Sequence, residues 1–283
     1  MIKSALVLEG GALRSVYAAG VLDVFMENNI RFEYVLGVSA GALNAGNYIS
    51  NQIGRSARVN IDYVNDPRYI GIKHWIREGS IFNFDFLFGA PTEEWMPYDE
   101  KTFMQTKQRY IIGATNCLTG KQDFFESRNY GELTQILTAS STLPVLSRLA
   151  YINGIPYIDG GVSNAIPFQK AQKDGYDKIV VVLTRPKGYY SKNNCFINCF
   201  FKLYYRKYPK LIKKLYTMAN RYNKLLEQIG KLEKRGNMFV IQPTTNLKVK
   251  RVERNQNKLR LLYLEGKEDA RRLLPQMLNY VGK

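Results

Sequence analysis

Two strand-turn-helix units within the first fifty residues constrain the fold of this chain more than any other feature. Ala5 to Leu8 is a short apolar run closed by Gly10 and Gly11, and Val16 to Met26 follows with apolar residues at helical spacing (Val16, Ala19, Leu22, Phe25, Met26). The pattern repeats at once. Tyr34 to Val38 reads as a buried strand, Gly37 and Gly41 bracket a tight turn, and Ala40 to Tyr48 is rich in small, helix-compatible residues. Strands joined through a crossover helix pair in parallel, so the reading is an α/β fold with a mainly parallel central sheet and helices on both faces.

The rest of the chain is consistent with that frame. Arg109 to Cys117 and Lys121 to Glu126, separated by Leu118, Thr119 and Gly120, read as a hairpin, and Asn153 and Gly154 mark a second turn ahead of Tyr157 and Ile158. Phe82 to Pro97, crowded with aromatics and holding two prolines, reads as irregular structure near the surface or over a pocket. Lys178 to Leu183 is short, β-branched and bounded by Asp177 and Pro186, as expected of a central buried strand. Past Arg185 the composition shifts: Phe200 to Arg235 holds 11 Lys plus Arg against 2 Glu, more than half of the net charge of +17. Leu211, Leu215, Met218, Tyr222, Leu225, Ile229 and Leu232 form a helical stripe assigned to packing, with basic residues on the remaining faces. Met238 to Gln242 adds a strand, and Lys267 to Val281 a helix interrupted by Pro275. The division expected is one α/β domain over residues 1–190 and a basic, mainly helical C-terminal extension, 191–283, packed on it.

Much chemistry is excluded by residue type. The chain has a single histidine, His74, and a Ser-acid-His order needs a histidine after the serine and the acid, which nothing beyond His74 can supply, so serine chemistry here needs another base. His74 reads as a surface or packing residue. Cys117, Cys195 and Cys199 are too few and scattered for a disulfide framework, which points to a reduced intracellular compartment. Cys195 and Cys199 can share a helix face but lack further ligands nearby, so no metal is expected. The first glycine turn fails as a dinucleotide fingerprint because Ala12 and Ser15 stand where glycine is needed, and no phosphate-binding G-x-x-x-x-G-K-[ST] run occurs. No cofactor is expected. Met1 to Leu8 is broken by Glu9, Gly10, Gly11 and Arg14 before it reaches signal-peptide length, and Cys195 to Tyr205 is too short to span a bilayer.

Three motifs carry the remaining chemistry. Gly37-Val38-Ser39-Ala40-Gly41 is a G-x-S-x-G between a strand and a helix, where a tight turn projects the serine toward the positive end of the following helix. Glu9-Gly10-Gly11-Ala12-Leu13-Arg14 closes the first strand with glycines whose bare backbone N–H groups can approach an oxyanion, or cradle a phosphate. Tyr157-Ile158-Asp159-Gly160-Gly161 closes a later strand with an aspartate that, taken alone, is a turn former. All three follow strands, and the carboxyl ends of strands in an open α/β sheet line one crevice.

In this order and spacing the three motifs resemble the patatin-like phospholipase family, as do Ala139-Ser140-Ser141-Thr142-Leu143-Pro144 and Asn164-Ala165-Ile166-Pro167; the resemblance covers about residues 5 to 185. It implies a three-layer α/β/α sandwich and a serine hydrolase that cleaves acyl esters of lipids through a Ser-Asp dyad, without metal or cofactor. By position, Ser39 becomes the nucleophile and Asp159 its base. The N–H groups of Gly10, Gly11 and Ala12 become the oxyanion hole, and Gly37, Gly41, Gly160, Gly161 and Arg14 support the motifs. Ala12 and Ser15 depart from the family's glycines, and a positive φ at Ala12 would strain it.

The basic region fits a lipid enzyme. Lys202, Arg206, Lys207, Lys210, Lys213 and Lys214, interleaved with Phe200, Phe201, Tyr204, Tyr205 and Tyr208, suit peripheral contact with an anionic membrane surface. The expectation is a cytoplasmic protein, peripheral to the membrane, acting on a lipid or other acyl-ester substrate. Competing readings are a soluble short-chain carboxylesterase or acyltransferase with the same dyad, and a catalytically inert nucleic-acid-binding protein using the basic region.

Overall fold

In the computed structural model, residues 1–71, 74–76, 79–89, 94–193 and 195–283 are described, with the side chains of 195–198 excepted. Eight strands form one sheet: β1 (Ile2–Leu8), β2 (Phe32–Val38), β3 (Arg109–Asn116), β4 (Gln122–Phe125), β5 (Ala150–Ile152), β6 (Ile155–Asp159), β7 (Ile179–Val182) and β8 (Phe239–Ile241). The pairs β1·β2, β1·β7, β2·β3 and β7·β8 are parallel. The hairpins bring in β4, β5 and β6 antiparallel.

The helices are α1 (Val16–Glu27), α2 (Ala40–Ile49), α3 (Arg55–Asp62), α4 (Phe84–Phe88), α5 (Glu100–Gln105), α6 (Tyr130–Ser141), α7 (Phe168–Lys173), α8 (Cys195–Tyr204), α9 (Pro209–Tyr216), α10 (Met218–Lys234) and α11 (Gln256–Val281). Alternation along β1 divides them between two faces. Leu6 and Leu8 enter a core shared with α1, α2, α6 and α11, whereas Ala5 and Val7 enter another shared with α7 and α10. The layers are therefore helix, sheet, helix.

Beyond residue 190 the chain is woven into this body. β8 extends the sheet beside β7, and α11 lies against α1 so closely that a Cβ on Gly20 would collide with the Tyr263 carbonyl, and one on Gly266 with that of Tyr17. Two reciprocal hydrogen bonds clamp the crossing: Tyr17 donates to Asp269 (2.9 Å) and Tyr263 to Asp23 (2.6 Å). The single stripe expected over Leu211 to Leu232 is two helices broken at Thr217, and the last helix starts eleven residues before Lys267. Asn255 caps it by accepting from the Lys258 N–H (3.1 Å), and it runs through Pro275 without a break.

Several surface expectations need correction. Phe201 and Tyr205 are buried with Cys117, Ile158 and Val162, and among the described side chains of α8 the exposed large hydrophobics are Phe200, Leu203 and Tyr204, beside exposed Lys202, Arg206 and Lys207. Lys73, and residues 90–93 of the aromatic stretch, lie outside the described residues, as does the Cys195 side chain on which a shared face with Cys199 depends. His74 is partly buried and away from the cleft described below. Among the described residues no helix is long and apolar enough to cross a membrane.

Candidate active site

The glycines of G-x-S-x-G are required by space. A Cβ on Gly37 would lie 2.5 Å from the Ala42 Cα, and one on Gly41 2.6 Å from the carbonyl oxygens of Leu8 and Glu9. Between them Ser39 adopts φ +54°, ψ −131°, a conformation that costs an L-residue about 1–3 kcal/mol and persists only where its surroundings enforce it. Ser140 supplies part of that enforcement: its hydroxyl accepts from the Ser39 N–H (2.8 Å) and donates to the Gly113 carbonyl (2.8 Å). That bond assigns a job to the Ala139–Pro144 segment, which sequence alone marked without explaining.

Asp159 arrives from the opposite direction. Ile112 pairs with Gly37 of β2 and Phe125 of β4, and Ala114 pairs with Asp159 of β6 and Asp123 of β4, so β2 and β6 share one edge of β3. Val38 faces Gly113 and Asp159 faces Ala114, the next position. The two strands meet head-on, which brings a serine and an aspartate 120 positions apart in sequence to one point. The sequence argument expected strand ends side by side along one edge; an antiparallel strand reaches the same crevice by running toward it. A Cβ on Gly160 would be 2.9 Å from the Gly113 carbonyl carbon and from Val38, so glycine is what permits this junction.

The Asp159 carboxylate is buried. One oxygen accepts from the Gly161 N–H (2.7 Å), and Ser39 lines the same cleft. Burial pushes its pKa above the usual carboxylate range, opposed by the neighbouring Ser39 hydroxyl, the Gly161 N–H and the charge of Arg251.

Beside Ser39 lies the glycine turn. A Cβ on Gly10 would sit 3.0 Å from the Ser39 Cβ. Among the described residues, the N–H groups of Gly10 and Gly11 donate to no protein acceptor. Ala12 has φ +50°, the strained conformation feared for a non-glycine residue. Glu9 anchors the turn, accepting from the Thr184 N–H (2.5 Å) and the Tyr222 hydroxyl (2.7 Å). Arg14 is buried, and desolvation together with Arg185 and Arg251 pushes its pKa down to about 10.

Gly10, Gly11, Ala12, Arg14, Ser39, Asp159 and Gly161 all line one cleft of about 840 Å³, its open mouth included, while Gly37, Gly41 and Gly160 lie at the tight approaches beneath it. The cleft has a wall that sequence reasoning did not anticipate: Arg185 after β7, Met218, Arg221, Tyr222 and Leu225 of α10, and Arg251 before α11. Met218, Tyr222 and Leu225 belong to the stripe that sequence assigned to packing, and no motif marks the arginines, which were submerged among 41 basic residues. Ser39 also borders an apolar pocket of about 370 Å³ lined by Leu13, Leu43, Phe82, Phe84, Leu87 and Leu143. Through Leu43, Tyr69 and Leu87 it adjoins another of about 580 Å³ that reaches Tyr98, Leu133 and Leu137.

A strained serine between a buried carboxylate and free backbone donors, on an α/β/α frame, defines a class, and the patatin-like phospholipase family matches residues 6–171. The chain belongs to that family. A second match, to a domain of unknown function (DUF6363), covers residues 208–282. Among curated relatives, the uncharacterized protein YjjU of Escherichia coli K12 is 34% identical over 197 residues, 66% of this chain and 53% of its own length. The chain thus spans about half of that relative. A probable lipid hydrolase, 463L of invertebrate iridescent virus 6, is 28% identical over 210 residues, 63% of this chain and 69% of its own length. Among solved structures, VipD from Legionella pneumophila shares the fold at 12% identity with a TM-score of 0.55, over 98% of this chain and 67% of that one.

Proposed function

We propose that this chain is a serine hydrolase that cleaves fatty-acyl esters of lipids through Ser39 and Asp159. The observation that carries the reading is the convergence of strained Ser39 and buried Asp159 on one cleft beside the Gly10–Gly11 turn, where β2 and β6 meet. Ser39 Oγ attacks the ester carbonyl as Asp159 takes its proton, and the N–H groups of Gly10, Gly11 and Ala12 receive the oxyanion. Collapse expels the alcohol, which takes that proton from Asp159. Water then attacks the acyl-enzyme with Asp159 again as base, releasing the fatty acid and restoring Ser39.

The raised Asp159 pKa serves this role, because a base is most effective when its pKa lies nearer the working pH. The apolar pocket beside Ser39 suits the acyl chain, and the polar cleft the alcohol portion. Residues 1–190 would hold the reacting groups, with 191–283 completing the cleft wall. Exposed Phe200, Leu203 and Tyr204, flanked by Lys202, Arg206 and Lys207, would rest on an anionic membrane surface.

The test compares wild type, Ser39→Ala and Asp159→Asn on p-nitrophenyl esters and on phospholipid vesicles. Hydrolysis by wild type alone is expected; equal rates in all three proteins would end the dyad reading. Vesicle co-sedimentation tests the membrane surface: binding to anionic and not zwitterionic vesicles, reduced in Phe200→Ser/Leu203→Ser, is expected, and indifference to these changes would remove α8 from the contact.

A further inference from the structure

We infer that Arg14, Arg185 and Arg251 form an anion-binding subsite in the cleft beside Ser39, and that it takes the phosphomonoester head group of the acyl ester being cleaved, an assignment that rests on Ser39 as nucleophile. The charged residues lining the cleft are four arginines, Arg14, Arg185, Arg221 and Arg251, against two carboxylates, Glu9 and Asp159. The lining therefore carries two positive charges more than it neutralises. Arg221 is already used structurally: it donates to the carbonyls of Ser163, Val162 (2.6 Å) and Lys214 (2.6 Å), holding the loop that follows Asp159.

The other three arginines differ. Among the described residues none of them has a carboxylate within 4.0 Å, and the Nε groups of Arg14 and Arg185 are buried without a partner. Glu9, whose charge acts on Arg14, has its oxygens engaged by Thr184 and Tyr222. Arg14 is buried, Arg185 half-buried and Arg251 exposed where it lines the cleft; gathering their charges around buried, unpaired Nε donors is costly unless an anion completes them, and forked guanidinium groups match phosphate oxygens. Arg185 and Arg251 also repel the Arg14 charge directly.

Their placement is built. Arg14 follows the glycine turn and Arg185 follows β7. Arg251 is clipped onto the turn because its carbonyl accepts from the Leu13 N–H (3.2 Å). Arg185 and Arg251 both lie outside the stretch matched by the patatin-like family, Arg251 falling within the DUF6363 match over residues 208–282. The surplus charge favours a dianionic head group over a zwitterionic one. A quaternary ammonium would need an open aromatic face, but the Tyr189 ring carries the Arg185 guanidinium at 4.1 Å, and Tyr222 meets Tyr189 edge-on with its hydroxyl on Glu9.

The experiment pairs 1-oleoylglycerol 3-phosphate with 1-oleoylglycerol, each in the same neutral detergent micelles, so that acyl chain and ester are matched. Wild type is expected to prefer the phosphate ester in kcat/KM by about 10- to 100-fold, and Arg185→Gln and Arg251→Gln to reduce that ratio at least about tenfold. Arg260→Gln, exposed on α11, controls for net charge and leaves the ratio unchanged. A binding arm uses the Ser39→Ala protein: glycerol 3-phosphate is expected to raise its melting temperature, and to do so far less when Arg185→Gln or Arg251→Gln is added. A ratio near one in wild type, or equal losses on both esters in the variants, overturns the subsite. Stabilisation by inorganic phosphate with no preference for the phosphate ester overturns the head-group assignment. Arginine-dependent binding of glycerol 3-phosphate in a protein that cleaves no ester supports the subsite and refutes the reaction assigned to Ser39.

Discussion

Ser39 borders two cavities built by contrasting means. On one side the cleft draws its wall from segments scattered across the chain: the turn after β1, the loop after β7, one face of α10 and the loop before α11. On the other side the pocket comes mainly from α2, α4 and neighbouring residues in the first half, and its lining is almost entirely apolar. An ester straddling Ser39 would meet charge on its alcohol side and hydrocarbon on its acyl side. The comparison teaches that the proposed reacting groups and the groups suited to recognition have different origins. The former sit in short motifs at strand ends, the latter in side chains that only the folded chain gathers.

The largest expected effect falls on the point the two cavities share. Ser39→Ala should lower kcat by about 10⁴-fold, and Asp159→Asn by about 10²- to 10⁴-fold, with substrate binding far less affected. If either variant keeps wild-type turnover, the cavities do not meet at a reacting centre.

The acyl side is next. Leu87 lines both apolar pockets where they adjoin, so Leu87→Trp should narrow the passage and shift preference from a twelve-carbon toward a four-carbon p-nitrophenyl ester by about 10-fold. An unchanged chain-length profile would show that acyl chains do not enter there.

Smaller effects concern stability. Asp159 holds its proton more tightly in the folded state than in the unfolded one, where its pKa is about 3.9. Its contribution is therefore most favourable below that value and is lost as pH rises through the raised folded pKa. Asp159→Asn lacks this loss, so the variant should melt close to wild type at acid pH and a few degrees above it at neutral pH, while losing activity. A variant melting below wild type at neutral pH would mean that the charge stabilises the fold. In wild type the same titration predicts that activity falls on acidification through the raised pKa. Smallest is Ala12→Gly, which relieves φ +50° and should raise the melting temperature by about 2–4 °C with the cleft intact; no change would mean that the turn stores no strain.

Much of this was legible in sequence because its causes are local. Periodicity and glycine turns placed α1, β2 and α2 within two residues and β1 within three, since a buried strand and its crossover helix leave strong apolar signatures. Ser39, Asp159 and the glycine turn were legible because close backbone approach admits few residue types. Three features were not. The head-on meeting of β2 and β6 depends on which edge of β3 each takes, and no local pattern encodes an edge. The break at Thr217 interrupts a stripe that runs on undisturbed in sequence. Arg185 and Arg251 differ from the other arginines of this basic chain only in being gathered into the cleft.

The most direct test of the central claim is covalent. Wild type, Asp159→Asn and Ser39→Ala are incubated with a long-chain fluorophosphonate, and the modified residue is identified by peptide mass spectrometry. The account predicts a single adduct on Ser39 in wild type, much slower labelling in Asp159→Asn and none in Ser39→Ala. Labelling that persists in Ser39→Ala, or that proceeds at an unchanged rate without the Asp159 carboxylate, would contradict it.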